Sequence, residues 1–393
     1  MADDARPEAE LTAEGPARSS AGIPSVASSL RLSLAEMGPR RSARSLLKLN
    51  HTDGFDCPSC AWPDPDPDRR KTAEFCENGA RAVAWEATRK RVDRVFFAAH
   101  PVHQLRGWDD HRLEGAGRLA EPMHLAPGSD HYAPISWEDA FALVATRLRA
   151  LPDPDRAVFY TSGRASNEAA FVYQLLARRL GTNNLPDCSN MCHESSGVAL
   201  TGTIGIGKGT VTLADITDHA DLILIAGQNP GTNHPRMLSA LEEAKRRGAR
   251  VIAVNPLPEA GFGRFKNPQK LRGVIGRGTV LADRHLAIRV NGDLALFNGL
   301  NSILLERERG RPGRVLDGDF IARYCEDFDA AAEGWRALRW PELEAMSGVS
   351  RHEVEDLADE VISARNVIVC WAMGLTQHRN AVATIREIVN FLL

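Results

Sequence analysis

The sequence predicts an α/β fold built on a doubly wound parallel sheet. Three short segments consist almost entirely of apolar residues, as is typical of strands buried on both faces: Asp221–Ala226, Ala249–Val254 and Asn366–Trp371. Segments with apolar residues at helical spacing lie between or after them, including Pro235–Arg247 and Ala381–Leu393. Because parallel strands need long crossover connections, this alternation predicts helices on both faces of one sheet. Ligands of such sheets bind at the carboxyl ends of the strands.

The N-terminal part of the chain lacks this alternation. Residues 1–44 are rich in Ala, Ser, Pro, Glu and Arg without sustained periodicity, which predicts a mobile arm. Residues 53–70 then contain Gly54 and four prolines, which exclude a helix or a central strand. We therefore expect a rigid loop here, and it carries Cys57 and Cys60.

Between this loop and the sheet, the sequence predicts two helices and a further strand. Ser136 is suited to cap a helix, because apolar residues at helical spacing follow it. Ala157–Thr161 is typical of a short buried strand. Asn167–Leu180 has a helical pattern that ends at Gly181, a residue favoured just beyond a helix C-terminus.

Charge and composition exclude several classes of protein. The 393 residues include 48 Lys and Arg against 51 Asp and Glu, a formal net charge of −3, which gives no basic surface for nucleic acid. The apolar runs are far shorter than the ~20 residues that span a bilayer. No apolar segment follows Arg40-Arg41, as a twin-arginine export signal would require. Seven cysteines are too sparse for a disulfide framework, so we expect reduced thiols in a cytoplasmic protein.

Three cysteines near the N-terminus form the first candidate site. Cys57 and Cys60 make a CxxC pair, and Cys76 follows it. Three thiolates at this spacing can bind a soft metal, either zinc or an iron–sulfur cluster. Zinc would need a fourth ligand, which the neighbouring histidines do not offer at a finger-like spacing. An inert pair of loop cysteines and a redox-active CxxC are the alternatives.

A second candidate site lies around Cys188, Cys192 and His193. These residues occupy a polar loop ahead of a helix of small residues, so Cys192 would lie near a helix N-terminus. Such a position favours a reactive or metal-binding thiol, and His193 could transfer a proton beside it. A buried structural cysteine is the alternative. The loop Gly227–Pro235 follows a predicted strand and opens a helix, where backbone N–H groups can bind a phosphate.

Taken in order along the chain, these motifs resemble those of the molybdopterin-dependent oxidoreductases, in particular the formate dehydrogenase alpha-subunit-like branch. They are Asp53–Pro65 (DGFDCPSCAWPDP), Thr161–Glu168, Cys192-His193, Gly227–Gly231 and Trp371–His378. The resemblance covers about residues 45 to 393. Several ordered motifs over that span are far more specific than any one of them.

The resemblance implies a division of the chain into three parts after the arm. Residues 45–105 would form a small, loop-rich iron–sulfur-type cysteine region, and residues 106–187 the first part of a discontinuous α/β lobe. Residues 188–393 would form the α/β lobe that binds the molybdopterin dinucleotide. Members of the family also have a C-terminal β-barrel domain. The apolar helix that ends uncapped at Leu393 leads us to expect a chain truncated before that domain.

The resemblance also implies a [4Fe-4S] cluster held by the N-terminal cysteines. By position, Cys57 and Cys60 match the first two cluster ligands and Cys76 matches the last. The usual third ligand falls at Asp64, so either Asp64 binds iron, or the cluster is incomplete, or it is lost. The lysine that lies between cluster and pterin in related formate dehydrogenases is Asn78 here.

The second cofactor that the resemblance implies is bis(molybdopterin guanine dinucleotide) with molybdenum. Cys192 matches the molybdenum ligand, and His193 matches the adjacent histidine that receives the substrate's proton. The other matched positions would line the cofactor. Gly163, Arg164, Asn167 and Glu168 would lie along the pterin, Gly227, Asn229, Pro230, Thr232, His234 and Asn255 along a guanine dinucleotide, and Gln377 and His378 would close the pocket.

The function implied is a two-electron oxidation or reduction of a small substrate at molybdenum, with electrons passed to an iron–sulfur cluster. The expected partners are a small-molecule substrate, an electron-transfer protein and a separately encoded C-terminal half, with no nucleic acid and no membrane. A truncated, non-catalytic remnant that binds only cluster or nucleotide is the main alternative. A nicotinamide-dependent dehydrogenase with a zinc-binding CxxC is a weaker one, because no strand-GxGxxG-helix unit is evident.

Overall fold

A four-stranded parallel sheet lies at the centre of the fold. The computed structural model describes residues 15, 17–60, 62–163 and 165–393. Within these residues the strands are β1 (Ser20–Ala21), β2 (Arg91–Val92), β3 (Arg118–Leu119), β4 (Met123–His124), β5 (Ala133–Pro134), β6 (Leu222–Ala226), β7 (Arg250–Asn255), β8 (Phe265–Lys266), β9 (Arg284–Ala287) and β10 (Val367–Trp371).

Helices make up most of the rest. In chain order they are α1 (Ile23–Leu46), α2 (Glu77–Glu86), α3 (Arg94–Ala99), α4 (Val102–Leu105), α5 (Asp110–Gly115), α6 (Trp137–Arg149), α7 (Asn167–Leu180), α8 (Cys188–Cys192), α9 (Glu194–Ile204), α10 (Pro230–Asn233), α11 (Pro235–Arg246), α12 (Ala260–Gly263), α13 (Leu271–Val274), α14 (Asp293–Gly310), α15 (Gly318–Tyr324), α16 (Phe328–Arg336), α17 (Trp340–Ser347), α18 (Arg351–Ser363), α19 (Met373–Thr376) and α20 (Ala381–Phe391). None of these helices combines the length and apolarity needed to cross a membrane.

The central sheet has the strand order β10-β6-β7-β9, and each neighbouring pair is parallel. Three of the four strands predicted from the sequence, β6, β7 and β10, are confirmed, each to within one residue at its ends. Strand β9 was not predicted, because Arg284 and His285 interrupt its apolar pattern. An edge strand tolerates such polar residues more readily than a central one.

Both faces of the sheet are covered by helices, which confirms the doubly wound prediction. Leu224 of β6 points to one face and packs in a cluster with Phe297 of α14 and residues of α18 and α20. Ile223, its neighbour in sequence, points to the other face and packs with Leu241 of α11. Successive side chains of a strand point to opposite faces, so β6 contributes to both cores.

The segment expected to be a mobile arm is helical from Ile23 onward, and the structure therefore differs from that expectation over residues 23–44. Helix α1 packs against α2, with Met37 and Val83 in a shared apolar cluster. A kink at Gly38, where φ is 73°, splits the helix and obscures its periodicity in the sequence. Residues 1–14 of the expected arm lie outside the described residues.

Residues 157–161 are extended but do not form the predicted buried strand. The Phe159 N–H donates to the Asn184 carbonyl at 2.9 Å, and Thr161 makes an isolated bridge with Asp187. Only Phe159 of this segment is buried. The helix that follows, α7, has the predicted bounds and ends at Gly181, where φ is 106°.

Candidate functional site

The loops that follow β6 and β10 meet at the carboxyl edge of the sheet. The Gly374 N–H donates to the Gly227 carbonyl at 3.0 Å. A Cβ atom added at Gly374 would lie 2.5 Å from the Gly227 Cα, and Gly227 itself has a φ of 59°. Only glycine allows two backbones to approach this closely. The Asn255 amide at the end of β7 donates to the Gln228 carbonyl at 2.9 Å and ties a third strand to the same edge.

The predicted dinucleotide loop after β6 is held by its own side chains. The Asn229 Oδ1 accepts from the Thr232 N–H at 3.2 Å and so caps α10, while its Nδ2 donates to Glu259 at 2.5 Å. Pro230 is buried within the same short helix. The structure therefore places Asn229 and Thr232 as residues that shape the loop.

Cys192 is anchored to this edge by the loop after β10. The Thr376 hydroxyl donates to the Cys192 carbonyl at 2.5 Å, and the Gln377 amide donates to the Met191 carbonyl at 3.1 Å. The Asp187 carboxylate and Asn190 side chain form a capping box at the start of α8, which fixes the helix that carries Cys192. The structure thus brings Gln377 to the helix that carries Cys192.

His193, which directly follows Cys192 and is exposed, and the half-buried His234 are two imidazoles of this region. Burial lowers the pKa of His193. Burial also lowers the pKa of His234, and the charge on His193 lowers it further, so the two rings lie within electrostatic reach. The Gln228 amide lies 3.3 Å from the His234 Nδ1 and can donate to it. Both imidazoles are therefore neutral near pH 7 and able to accept a proton.

Three buried side-chain oxygens near this edge have no hydrogen-bond partner among the described residues: Gln228 Oε1, Asp293 Oδ1 and Asn380 Oδ1. Burial raises the pKa of Asp293 to about 6, and the charge on His378 opposes the shift. Unpartnered buried polar atoms are rare, and several near one strand edge indicate a polar ligand. The sequence analysis did not identify Asp293 or Asn380. Asp293 follows a glycine and is the first residue of an apolar helix, and this pattern could have indicated it.

The residues predicted to line the pterin lie at the start of α7. Asn167 and Glu168 are exposed in its first turn. Gly163 abuts the helix that carries Cys192, since a Cβ added there would lie 3.6 Å from the Cys188 Sγ. Arg164 falls outside the described residues.

The three N-terminal cysteines are gathered into one partly buried site. Burial raises the pKa of Cys57 and of Cys76, and the charge of Cys60 raises both further. Backbone N–H groups favour each thiolate, those of Ser59 and Cys60 for Cys57 and those of Gly79 and Asn78 for Cys76. All seven cysteines of the chain are free thiols.

Asp64, at the position of the usual third cluster ligand, is bound elsewhere. The Arg236 guanidinium donates to the Asp64 carboxylate at 2.6 Å and to the Glu74 carboxylate at 2.8 Å. Within the part of the chain that is described, no three His, Cys, Asp or Glu side chains are placed to bind a single metal ion. The three N-terminal cysteines therefore offer three thiols, and Asp64 is held by Arg236 rather than left available as a fourth ligand.

Asn78 and Trp62 of the cysteine region contact the loop that follows β6. Asn78, at the position of the lysine in related formate dehydrogenases, donates to the Thr232 carbonyl at 2.6 Å. The Trp62 ring lies 6.5 Å from the His234 ring between centroids. The two candidate sites therefore face each other across the loop that follows β6.

Comparisons with known proteins find similar sequences. A family model described as molybdopterin oxidoreductase matches residues 118–393. An uncharacterized oxidoreductase of Mycobacterium tuberculosis is 55% identical over 376 residues, which cover 96% of this chain and 48% of that protein. Formate dehydrogenase H of Escherichia coli is 28% identical over 281 residues, 70% of this chain and 36% of that protein.

Among solved structures, acetylene hydratase from Pelobacter acetylenicus has a similar fold. The TM-score is 0.54 at 19% sequence identity, with 67% of this chain and 33% of that chain covered. At this identity the likeness shows the fold alone. The chain spans about half the length, or less, of these relatives.

Proposed function

Because this chain belongs to the molybdopterin oxidoreductase family, we propose that it forms part of a molybdenum-dependent, formate-dehydrogenase-like oxidoreductase. The proposed reaction is a two-electron oxidation or reduction of a small substrate, with the electrons passed to an iron–sulfur cluster and then to a partner protein. We further propose a cytoplasmic location. The similarity to formate dehydrogenase H supports the choice of reaction class.

The observation that carries the proposal is the group of unpartnered oxygens near the carboxyl edge of the sheet. Gln228, Asp293 and Asn380 offer buried hydrogen-bonding capacity that the protein does not use. A guanine dinucleotide presents many polar groups and fits such an edge, where the loops after β6 and β10 approach each other closely. These residues, with Asn255 and the loop that Asn229 shapes, would hold the dinucleotide.

Bis(molybdopterin guanine dinucleotide), when bound, would supply a metal centre capable of two-electron transfer. The Cys192 thiolate would ligate molybdenum, since soft thiolates suit such metals. Hydrogen bonds from Thr376 and Gln377 to the backbone of α8 would hold this cysteine in place at the edge. Gly163, Asn167 and Glu168 would border the pterin.

His193 is the residue we propose as proton acceptor for the substrate. Its Nδ1 lies 3.4 Å from the Ser196 Oγ, which accepts from the Trp371 indole N–H at 3.0 Å and can accept again from Nδ1. This arrangement leaves the His193 Nε2 free to take a proton. The lowered pKa keeps the His193 ring neutral before the substrate reacts. Because a charge on His193 lowers the pKa of His234, protonation of both rings at once is unfavourable.

The test is molybdenum content and molybdenum X-ray absorption of protein produced anaerobically in a host that makes the cofactor. We expect bound molybdenum, and Cys192→Ala should remove one sulfur ligand from its spectrum while Cys188→Ala, in the same helix, leaves it unchanged. Folded protein without molybdenum would contradict the proposal. Folded protein that holds a cluster or a nucleotide but no molybdenum would favour the non-catalytic alternative.

A further inference from the structure

A pocket of about 340 Å³ lies at the kink of α1. Four of its seven lining residues are arginines: Arg40, Arg41 and Arg44 of α1, and Arg89 of the turn between α2 and β2. The other three, residues 37–39, are uncharged, so among the described residues no carboxylate lines the pocket. A concave space of this volume can hold a small ligand.

The kink itself positions Arg89. The Arg89 N–H donates to the Glu36 carbonyl at 3.0 Å, and the Glu36 carboxylate accepts from the Thr88 hydroxyl at 2.6 Å and from the Lys90 ammonium at 2.8 Å. A Cβ added at Gly38 would lie 3.1 Å from both the Cζ and the Nη1 of Arg89 and 3.3 Å from its Nη2. These nearly equal distances mean that one face of the guanidinium lies against Gly38. Its N–H groups, which lie in the guanidinium plane, therefore point away from Gly38 and can bind a ligand.

Nothing in the surrounding protein neutralises the arginines of this pocket. The Arg41 Nη1 donates to the Ala87 carbonyl at 2.9 Å, which is an uncharged partner. Within the described part of the chain, the guanidinium groups of Arg40, Arg44 and Arg89 have neither a carboxylate partner nor another hydrogen-bond acceptor. The pocket thus concentrates positive charge and unused N–H donors.

Without an anion, this arrangement is unfavourable. Arg40 and Arg44 are four residues apart on α1, so two like charges lie on the same face of the helix. Because the second part of α1 begins at Pro39, Arg40 and Arg41 also lie in its first turn, where the helix dipole repels cations. A bound anion would offset both effects.

We propose that this arginine pocket binds a small molecule that carries a phosphate or diphosphate group. Guanidinium groups bind phosphate oxygens through paired N–H donors, and the unpaired Arg40, Arg44 and Arg89 supply such donors around one concave space. The net charge of −3 gives the chain no wider basic surface of the kind that a polynucleotide needs, so a small ligand is favoured. The pocket shares no residue with the sheet edge and is separate from the site of the proposed function.

Isothermal titration calorimetry of the full chain with sodium pyrophosphate is the test. We expect binding that Arg40→Gln and Arg89→Gln each weaken by about tenfold or more, because each removes charge-assisted hydrogen bonds. Arg89→Lys keeps the charge but loses the paired donors, so it should also weaken binding. Arg323→Gln, which removes an exposed arginine of α15, is the matched control and should bind as the unmodified protein does. Circular dichroism checks that each variant is folded.

Four results would overturn the inference. They are no binding of pyrophosphate, equal weakening by Arg323→Gln, and binding that Arg40→Gln and Arg89→Gln leave unchanged, which would put the anion elsewhere, for example at the loop after β6. The fourth is a DNA duplex that binds more tightly than pyrophosphate and loses affinity in the same variants, since the pocket would then belong to a nucleic-acid surface. Each outcome is independent of molybdenum content, so failure of this inference leaves the proposed function standing, and the reverse also holds.

Discussion

The central sheet and the segment that carries α6 and α7 have equally clear sequence patterns but very different burial. Leu222 to Ala226 of β6 are at most 1% exposed. In contrast, Phe141 of α6 and Phe171 of α7 are 65% and 60% exposed, although both helices are amphipathic and have capped N-termini. Periodicity therefore predicts where a helix forms, whereas burial depends on whether another element covers its apolar face.

The largest expected effect is a difference between two leucine truncations. Leu224→Ala in β6 removes a side chain that is 0% exposed, and should lower the free energy of unfolding by about 3 kcal/mol through lost burial and a cavity. Leu176→Ala in α7, where the side chain is 50% exposed, should cost less than about 1 kcal/mol. Urea unfolding followed by circular dichroism measures both.

If Leu224→Ala and Leu176→Ala lowered the free energy of unfolding equally, the contrast between the buried β6 and the exposed α7 would be wrong. A large cost at Leu176 would mean that the apolar face of α7 is covered in solution, for example by a second copy of the chain. Sedimentation of both variants checks this, because a covered face implies association that Leu176→Ala weakens and Leu224→Ala does not.

Removing a buried charge gives the next largest effect, and it should increase the free energy of unfolding rather than lower it. Burial raises the pKa of Asp293 to about 6 from 3.8, so the native state is penalised once this carboxyl ionises. This contribution to stability is present below pH 3.8 and is lost as the pH rises through 6. Asp293→Asn should therefore stabilise the cofactor-free protein by up to about 3 kcal/mol above pH 7, from 1.36 kcal/mol per pKa unit.

The pH dependence separates this cause from others. The stabilisation by Asp293→Asn should roughly halve between pH 8 and pH 5. Glu138→Gln, in the exposed first turn of α6, is the control and should change stability by less than about 1 kcal/mol at either pH. A gain for Asp293→Asn that is independent of pH would mean that the carboxyl is solvated in the native state.

Local signals account for the parts of the fold that the sequence predicted well. Strands β6, β7 and β10 and helices α7 and α11 have the predicted bounds to within a residue, because apolar runs, caps and glycine ends lie within each segment. The failures involve partners distant in sequence. Residues 157–161 have a strand pattern but pair only with a loop, and α1 is stabilised by packing on α2.

The candidate sites show the same limit. The motifs located Cys57, Cys192 and the loop after β6, since their residue types are informative in themselves. They could not show that Asp64 is bound by Arg236, because the two residues are 172 positions apart. Nor could they show that the Asp293 Oδ1 lacks a hydrogen-bond partner among the described residues, because that depends on residues distant in sequence.

The smallest expected effect on stability comes from removing a helix cap. It compares the exposed and the buried region directly, because both contain a helix capped by serine. Ser136 accepts from the Asp139 N–H in the exposed α6, and Ser350 accepts from the Glu353 N–H in α18, which packs on the sheet. Either serine changed to alanine should cost about 1 kcal/mol locally. Because α6 has little packing to hold its end, amide hydrogen exchange in its first two turns should accelerate, whereas α18 should stay protected. Equal acceleration in both helices would show that packing does not distinguish the two regions.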